Sequence, residues 1–486
     1  MCGILAEFYF EENKIDQQTK DKFSDNLSLM AHRGPDASNV ISFDKAILGH
    51  RRLSIIDTSP DANQPLCDVH EDFYIIFNGE IFNYIEIREE LKKKKYIFRT
   101  ESDTEVLLTA YKEWGSECLA KLNGMFAFII FSKKNNSVFI ARDHFGIKPL
   151  YYSLSKDKIT FSSEIKPLAL GKEVEINNEY LDTFITKSAC DFGKETLFEN
   201  IFQLEAGSYI DTLDNLEQKK WFDLSTKVFE NSNRESTKYT SEEVYKNSIT
   251  ESVQIRMRSD VPVAITLSGG MDSTSIYSII QSSKKYDPIT AYTIVGSDNS
   301  GDKAESEFNG AKLVTDMYRG TLKKVKSPIK YDLREVYKSM FYQEMPSWSL
   351  SHVLYDEVYK TVADDSIKVL LEGHGNDEIL GGYPVHVGDC IQSLIFDGKF
   401  LKAYKYAKVY NSSQSSIYYK SRFKIPASII FLVNMFPVIR NLISNMRYRL
   451  SWDFKVFQRK RTTTTLFKNN NKQLSYMQKT LIEQIG

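Results

Sequence analysis

The sequence lacks paired cysteines, a net charge and an apolar leader, and each absence excludes a class of protein. Its five cysteines are scattered, odd in number and without Cys-x-x-Cys spacing, which argues against a disulfide framework or a structural zinc site. The 63 basic and 64 acidic side chains nearly cancel, so no electrostatic footprint for nucleic acid is present. The first apolar run ends at Glu7, too early for a signal peptide. We therefore expect a cytoplasmic protein with no nucleic-acid partner.

One apolar stretch, residues 425–443, approaches the length of a membrane span. Asn434, Pro437 and Arg440 interrupt it, as is typical of a buried or amphipathic helix pair rather than a span, so we do not expect membrane association. The composition is otherwise ordinary, with 42% apolar and 26% charged residues. A chain of 486 residues is long enough for two or three domains with sizeable cores.

The most informative residue is Cys2, which follows the initiator and precedes Gly3. Removal of Met1 would expose a cysteine whose own α-amino group, with an ordinary pKa near ~8, can act as the general base. Met-Cys-Gly alone is weak evidence, because any small second residue permits removal of Met1. The hypothesis of an N-terminal nucleophile therefore depends on the residues that follow.

Short strand-like runs with helical segments at 17–31, 84–94 and 104–114 fill the first 200 residues. Polar, glycine-containing segments are expected between the strands: HRGPD at 32–36, GHRRLSIID at 49–57, NGEIFNY at 78–84, ESDTE at 101–105 and RDHFGIKPLYY at 142–152. Singly, each has a structural explanation, since Asn-Gly favours a turn and Ser-x-x-Glu a helix N-cap.

Together with Cys2 and in this order, the segments resemble the glutaminase domain of the class II glutamine amidotransferases. The GHRRLSIID and NGEIFNY blocks are most similar to those of the glutamine-dependent asparagine synthetases. The resemblance covers residues 2–204. It implies an α+β fold of the N-terminal-nucleophile type, a four-layer αββα sandwich of two antiparallel sheets.

The resemblance also implies a role for each residue of a glutamine-hydrolysing site. Cys2 would attack the side-chain amide, while the Asn78 side chain and the Gly79 amide would receive the oxyanion. Glycine at 79 would also let the backbone approach the ligand closely. The remaining glutamine-binding residues would be Arg52 for the α-carboxylate, Asp103 and Glu80 for the α-ammonium, and the backbone near Leu53 and Ile55. Ammonia released here must reach a second active site.

That second site is predicted in residues 241–486, after final strands and a linker at 205–240. An apolar strand at 263–267 runs into Ser268-Gly269-Gly270-Met271-Asp272-Ser273 and then into a helix. This order directs backbone amides and a helix N-terminus at an anion, with Asp272 beside it as a magnesium ligand. The spacing is neither GxxxxGK[ST] nor GxGxxG. It resembles the pyrophosphate loop of adenylating enzymes that cleave ATP between its α and β phosphates, with adenine near Leu267 and Val295.

Alternating strands and helices continue to a second strand–glycine–helix unit, which predicts an α/β doubly wound parallel sheet. Residues 369–371 lead into Glu372-Gly373-His374-Gly375-Asn376-Asp377. The whole is similar to the ATP-pyrophosphatase domain of asparagine synthetases. By that resemblance Glu372 and Gly373 would also contact ATP, and Asp377 would share the Mg²⁺ ion of Asp272.

The chain departs from the resembled family at His374, where a glutamate is usual. Histidine can act as an acid or base near neutral pH but supplies no fixed negative charge, so His374 is either a catalytic replacement or a neutral drift. Glu372, where serine is common, either restores the charge or is a solvated loop residue. A histidine at this position also resembles the sequences of asparagine-synthetase-like enzymes from secondary metabolism and surface-polysaccharide loci.

The second departure concerns the C-terminal region. A helix resembling 473–485 is normally followed by an E-x-R-x-P-F-L-D-like block and a phosphate-contacting lysine, and neither occurs before Gly486. Basic runs at 447–449 and 459–461 and a threonine tract at 462–465 offer no recognisable substitute. Three explanations are open: the chain is truncated, a separate polypeptide completes it, or the second reaction is lost.

These observations predict an ATP- and Mg²⁺-dependent amide ligase that uses glutamine as its nitrogen source, with aspartate as the default acceptor. One alternative keeps this chemistry on a sugar or peptide carboxylate. Another retains only the glutaminase, with a degenerate second half. The expected partners are small-molecule substrates, and a homodimer stays open.

Overall fold

The structure is a computed structural model that describes residues 1–12, 15–171, 173–187, 190, 193–227, 242–283, 285–295, 301–326, 332–346 and 351–413. The predictions for residues 425–443, 447–449, 459–465 and 473–485 lie outside this part of the chain. The described residues divide into two compact units, one from Met1 to Glu372 and one from Gly373 onward. No described helix is both long and apolar enough to cross a membrane.

The first part of the chain forms two antiparallel sheets. Its strands are β1 (Gly3–Tyr9), β2 (Ala37–Ser42), β3 (Ala46–Arg52), β4 (Leu66–Cys67), β5 (Phe73–Ile81), β6 (Gly124–Ser132), β7 (Ser137–Arg142), β8 (Tyr151–Leu154), β9 (Lys158–Ser162), β10 (Ile201–Gln203), β11 (Ser208–Ile210) and β12 (Lys219–Lys220). Its helices are α1 (Gln17–Ser28), α2 (Tyr84–Lys93), α3 (Asp103–Trp114), α4 (Lys166–Ala169) and α5 (Asn178–Lys187). The strand orders are β10-β8-β9-β1-β3-β2 and β12-β11-β7-β6-β5-β4.

Alternation along the strands builds the layers of this region. On β1, Ile4 and Phe8 face a core shared by both sheets, whereas Leu5 packs against α1. On β5, Ile76 faces the same inner core and Phe77 packs against α2 and α3. Because side chains alternate across a strand, each sheet is buried on both faces. The resulting helix–sheet–sheet–helix order confirms the predicted αββα sandwich.

Two polar segments expected between strands lie inside them, and that expectation was wrong. Residues 49–52 end β3, and residues 78–81 end β5. His50, Arg52 and Asn78 are all buried. Polarity is a poor guide here because these strand ends line a cavity, where polar side chains replace the apolar alternation.

The second half of the first unit contains a parallel sheet of order β15-β14-β13-β16. Its elements are α6 (Glu242–Arg256), β13 (Val263–Thr266), α7 (Met271–Ser282), β14 (Thr290–Val295), α8 (Gly301–Met317), β15 (Leu322–Lys326), α9 (Leu333–Gln343), α10 (Ser351–Asp364) and β16 (Val369–Leu371). One face packs on α6, α7 and α8, and the other on α10. Helices on both faces confirm the predicted doubly wound sheet. The connections reverse direction between β13 and β16, where such folds bind ligands.

The second unit contains the helices α11 (Asn376–Leu380), α12 (Pro384–Phe396) and α13 (Phe400–Ser413). Ile391 of α12 packs against Ala403 and Ala407 of α13. The loop around α11 bends at Gly375 and Gly381, which have φ values of 99° and 72°. Such values favour glycine, which explains the glycine content of this segment.

Candidate active site

A cavity opens at the start of β1, with about 560 Å³ of space when the part open to solvent is included. The structure places every residue of the predicted glutamine site on its wall: Cys2, Arg52, Leu53, Ile55, Asn78, Gly79, Glu80 and Asp103. They come from the ends of β1, β3 and β5 and the first turn of α3. Two antiparallel sheets therefore bring together residues up to a hundred positions apart, and their individual roles stay predictions.

The Cys2 thiol is held by the backbone of Leu53. The Leu53 N–H donates to Sγ at 3.4 Å, and Sγ lies 3.7 Å from the Leu53 carbonyl oxygen. Burial raises the pKa of Cys2, and the Leu53 hydrogen bond opposes that rise. Burial also lowers the pKa of the Met1 amino group to about 5. The Met1 amine is therefore neutral at pH 7, the state in which an amine can accept a proton.

Asn78 is completely buried on β5. Neither its Nδ2 nor its Oδ1 atom has a hydrogen-bond partner within the described residues. A buried amide left unpaired costs about 1–3 kcal/mol, so the cavity carries a polar group suited to a ligand. Gly79 has a further explanation beside the expected one: a Cβ there would lie 2.2 Å from the Met125 carbonyl oxygen. The neighbouring strand β6 requires this glycine.

Two carboxyl groups, Glu80 and Asp103, lie in the same cavity and are both buried. Asp103 Oδ2 accepts a hydrogen bond from Ile81 N at 3.0 Å. Burial raises the pKa of Asp103 to about 6. Burial, with the Asp103 charge added, raises the pKa of Glu80 to about 8. A cationic group bound between them would restore ionisation, so the pair is suited to an ammonium.

Arg52 supplies the opposite charge. Its Nη1 donates to Ser59 O at 2.7 Å and to Asn63 Oδ1 at 2.8 Å, and its Nη2 donates to Asp57 O. A guanidinium has five N–H donors, so two remain beyond these three contacts for a ligand carboxylate. The anchored geometry fixes where such a carboxylate could bind.

Sequence reasoning missed Lys148, a buried cation on the cavity wall. No hydrogen bond or ion pair joins its ammonium to another residue in the described ranges. Burial lowers the pKa of Lys148, and the nearby Glu80 and Cys2 oppose that shift. A cation here favours the thiolate of Cys2. Lys148 belongs to the RDHFGIKPLYY segment, but the amino-acid sequence around it does not distinguish it from a solvent-exposed loop lysine.

The residues predicted to bind ATP in the first unit lie at the carboxyl ends of neighbouring parallel strands. Leu267 and the loop Ser268–Gly270 follow β13, Val295 ends β14, and Glu372 follows β16. Tyr359 OH donates to Glu372 Oε1 at 3.3 Å. The remaining predicted residues, Gly373, His374 and Asp377, lie in the second unit.

The loop after β13 is held by hydrogen bonds to its own serine side chains. Ser273 Oγ accepts from Ser268 N at 3.2 Å, and Gly270 N donates to Ser268 Oγ at 3.3 Å. Gly270 is the N-cap of α7, and Asp272 stands in its first turn. The described residues contain no cluster of three metal-ligating side chains. Nucleotide-bound Mg²⁺ needs only one or two carboxylates, because phosphates and water complete its shell, so Asp272 fits this use.

Gly269→Ala should destabilise the first unit and weaken ATP use. Gly269 has φ of +74°, and a Cβ there would lie 2.5 Å from the Glu307 carbonyl oxygen. We expect a cost of about 1–2 kcal/mol or more for the strained backbone and the displaced helix, measured by urea unfolding. Gly270→Ala is the matched control, because its φ is −74° and its Cβ would meet only Ser268 Oγ at 3.3 Å. Equal losses in both variants would contradict this explanation.

Comparison with known proteins agrees with the two-part organisation. A family model described as a glutamine amidotransferase domain matches residues 1–222, and one described as asparagine synthase matches residues 245–417. Glutamine-hydrolysing asparagine synthetase 1 of Bacillus subtilis is 35% identical over 79% of this chain and 59% of its own.

Two further relatives are 30% identical over 80% of this chain. One is assigned as glutamine-hydrolysing asparagine synthetase 2 of Methanocaldococcus jannaschii, of which 76% is covered. The other is amidase chry2 of Gibberella zeae, of which 60% is covered. The chain thus spans about three fifths of the length of the Bacillus subtilis and Gibberella zeae relatives and about three quarters of the Methanocaldococcus jannaschii relative.

Proposed function

The chain belongs to the glutamine-hydrolysing asparagine synthetase family, and from that premise we propose that it transfers the amide nitrogen of glutamine to a carboxylate at the expense of ATP. The observation that best supports this proposal is that a thiol, an unpaired amide, an anchored guanidinium and two buried carboxyl groups all line one cavity. Free glutamine presents the complementary amide, carboxylate and ammonium groups.

In the first reaction, Cys2 Sγ attacks the side-chain carbonyl carbon of glutamine. The α-amine takes the thiol proton and returns it to the departing ammonia. The Asn78 Nδ2 group donates to the oxyanion and stabilises it. No acceptor among the described residues competes for this donor. Water then hydrolyses the γ-glutamyl thioester and releases glutamate. Arg52 holds the α-carboxylate, and Glu80 with Asp103 holds the α-ammonium throughout.

In the second reaction, the acceptor carboxylate attacks the α-phosphorus of ATP and expels pyrophosphate. Ammonia then displaces AMP from the acyl-adenylate and forms the amide. The Ser268–Gly270 loop and the N-terminus of α7 would hold the phosphates. Asp272 would hold the Mg²⁺ that neutralises the phosphate charge. The roles of Asp377 and His374 stay those that the sequence resemblance implies.

The acceptor is the open part of this proposal. Aspartate is the default, and it is the acceptor that the names of two relatives imply for those proteins. Two observations favour a second candidate, a different carboxylate: His374 stands in place of the usual glutamate, and one relative is named an amidase. That candidate changes only the acceptor pocket and leaves the glutamine chemistry intact.

Pyrophosphate release from ATP·Mg with glutamine tests both candidates. Aspartate, a uronic acid and a C-terminal peptide carboxylate would be compared, and glutamate, pyrophosphate and AMP would be quantified in each. Equal amounts of all three products with one acceptor would support the ligase and identify its class. Glutamate without pyrophosphate in every case, and again with ammonia supplied directly, would reduce the function to glutamine hydrolysis.

A further inference from the structure

The glutamine cavity is held in part by residues of the parallel-sheet half. The segment that connects the two is 53–57, which follows β3 and which we name the thiol loop. Leu53 contacts the Cys2 thiol, Ile55 and Ile56 line the cavity, and Asp57 O accepts from the Arg52 guanidinium. The loop therefore positions both the nucleophile and the carboxylate-binding cation.

Asp260 brackets the far end of the thiol loop. Its Oδ2 accepts a hydrogen bond from Asp57 N at 2.7 Å, and its own N–H donates to Ile55 O at 3.1 Å. Asp57 has φ of +50°, a left-handed conformation that is uncommon for residues other than glycine. The Asp57 carboxylate in turn accepts from Glu101 N at 2.8 Å. This contact anchors the segment that carries Asp103. Asp260 of the parallel-sheet half therefore supports, through Asp57, the segments that carry Arg52 and Asp103.

Lys368 holds the near end of the thiol loop. Its Nζ donates to Asp36 Oδ2 at 2.7 Å, and the same oxygen accepts from Ser54 N at 2.7 Å. Asp260 stands shortly before β13 and Lys368 directly before β16, and these two strands pair with Val263 opposite Val369. The two contacts thus come from the amino ends of the two strands whose carboxyl ends carry the candidate ATP loops.

We propose that Asp260 and Lys368 are positioning residues for glutamine hydrolysis, acting through the backbone of the thiol loop. This inference rests on the proposed glutaminase function. Loss of the Asp57–Asp260 contact releases a constrained backbone, which moves the carbonyl that orients Arg52 and loosens Glu101. Glutamine binding should suffer more than the chemical step, because Leu53 still holds the thiol.

Steady-state glutamine hydrolysis without ATP tests the proposal in the full chain. For Asp260→Ala we expect KM for glutamine to rise about tenfold, with kcat falling less than threefold. Asp260→Asn should recover most of the loss, because its amide oxygen can still accept from Asp57 N. Lys368→Met should raise KM about threefold. Asp316→Ala is the matched control, since Asp316 pairs with Lys312 on the surface of α8.

Each outcome bears on a different claim. A wild-type chain that forms no glutamate would overturn the proposed glutaminase. An active wild type with unchanged KM in Asp260→Ala would overturn the positioning role alone, as would Asn performing no better than Ala. If Asp260→Ala lowers the melting temperature, Lys368→Met provides the test. An unchanged KM for glutamine in a Lys368→Met variant that melts like the wild type would overturn the proposal.

Discussion

Cys2→Ala should abolish glutamine hydrolysis while ammonia-dependent pyrophosphate release continues. Among the described residues, Cys2 carries the one thiol on the cavity wall, and removal of a nucleophile commonly costs about 10⁴-fold or more. The substitution removes only Sγ and its contacts with Leu53, so the thiol loop should stay in place. Glutamate formation and pyrophosphate release would be measured in parallel with glutamine or ammonia as nitrogen source.

Cys67→Ala is the matched control for Cys2→Ala, because Cys67 is a free, partly buried thiol on the edge strand β4. It should retain wild-type hydrolysis. Mass spectrometry of the active protein would also establish whether Met1 is removed. Full activity with Met1 retained would contradict the α-amine of Cys2 as the base, and wild-type hydrolysis in Cys2→Ala would contradict the nucleophile itself.

The sequence predicted the layers of the fold better than the placement of the polar segments. Strand-like runs at 4–10, 126–131 and 158–162 of the sequence coincide with β1, β6 and β9 to within about two residues, because each strand has a buried face along its length. The same rule failed for residues 49–52 and 78–81, where strand ends carry the cavity wall. Short strands such as β10 and β12 offer too few residues for any period to be visible.

The membership of the candidate site could be predicted, whereas its supports could not. Cys2, Asn78 and Asp103 stand in segments that resemble a known family, and the structure brings them together. Asp260 and Glu344 contact residues far from them in sequence, and Lys148 lines the same cavity as Cys2, far along the chain from it. No local sequence pattern predicts such contacts, because each of these residues, judged from its neighbours in sequence, is indistinguishable from a charged residue exposed to solvent.

Glu344 belongs to a buried network of charges that joins the two halves of the first unit. Lys166 Nζ lies 2.8 Å from Glu164 Oε2 and 3.0 Å from Glu344 Oε1. Glu344 also accepts from the backbone N–H groups of Ile165 and Lys166, at 2.6 and 2.7 Å. Arg33 reaches Glu164 Oε1 at 2.9 Å and the Cys2 carbonyl at 3.1 Å. The network therefore extends from the end of α9 to the nucleophile.

Lys166→Met should destabilise the protein by about 3–5 kcal/mol, the usual cost of removing one partner from a buried ion pair. Lys166, Glu164 and Glu344 have side chains only 3–7% exposed, so water cannot replace the lost ammonium. Burial alone would raise the pKa of Glu164, but the His32 hydrogen bond and the charges of Lys166 and Arg33 lower it to about 2. Burial raises the pKa of Glu344 despite Lys166. Urea unfolding at pH 7 gives the difference in free energy.

The pH dependence of this loss separates a charge effect from a packing effect. Without Lys166 the folded-state pKa of Glu344 rises further above its unfolded value, so the folded chain binds more protons than the unfolded chain. Stability of the variant must then fall as pH rises above about 4.5, and its deficit should be larger at pH 8 than at pH 5. Lys312→Met, which removes an exposed helical pair, should cost at most about 0.5 kcal/mol. A deficit that does not change with pH would contradict the charge argument, because lost methylene packing does not titrate.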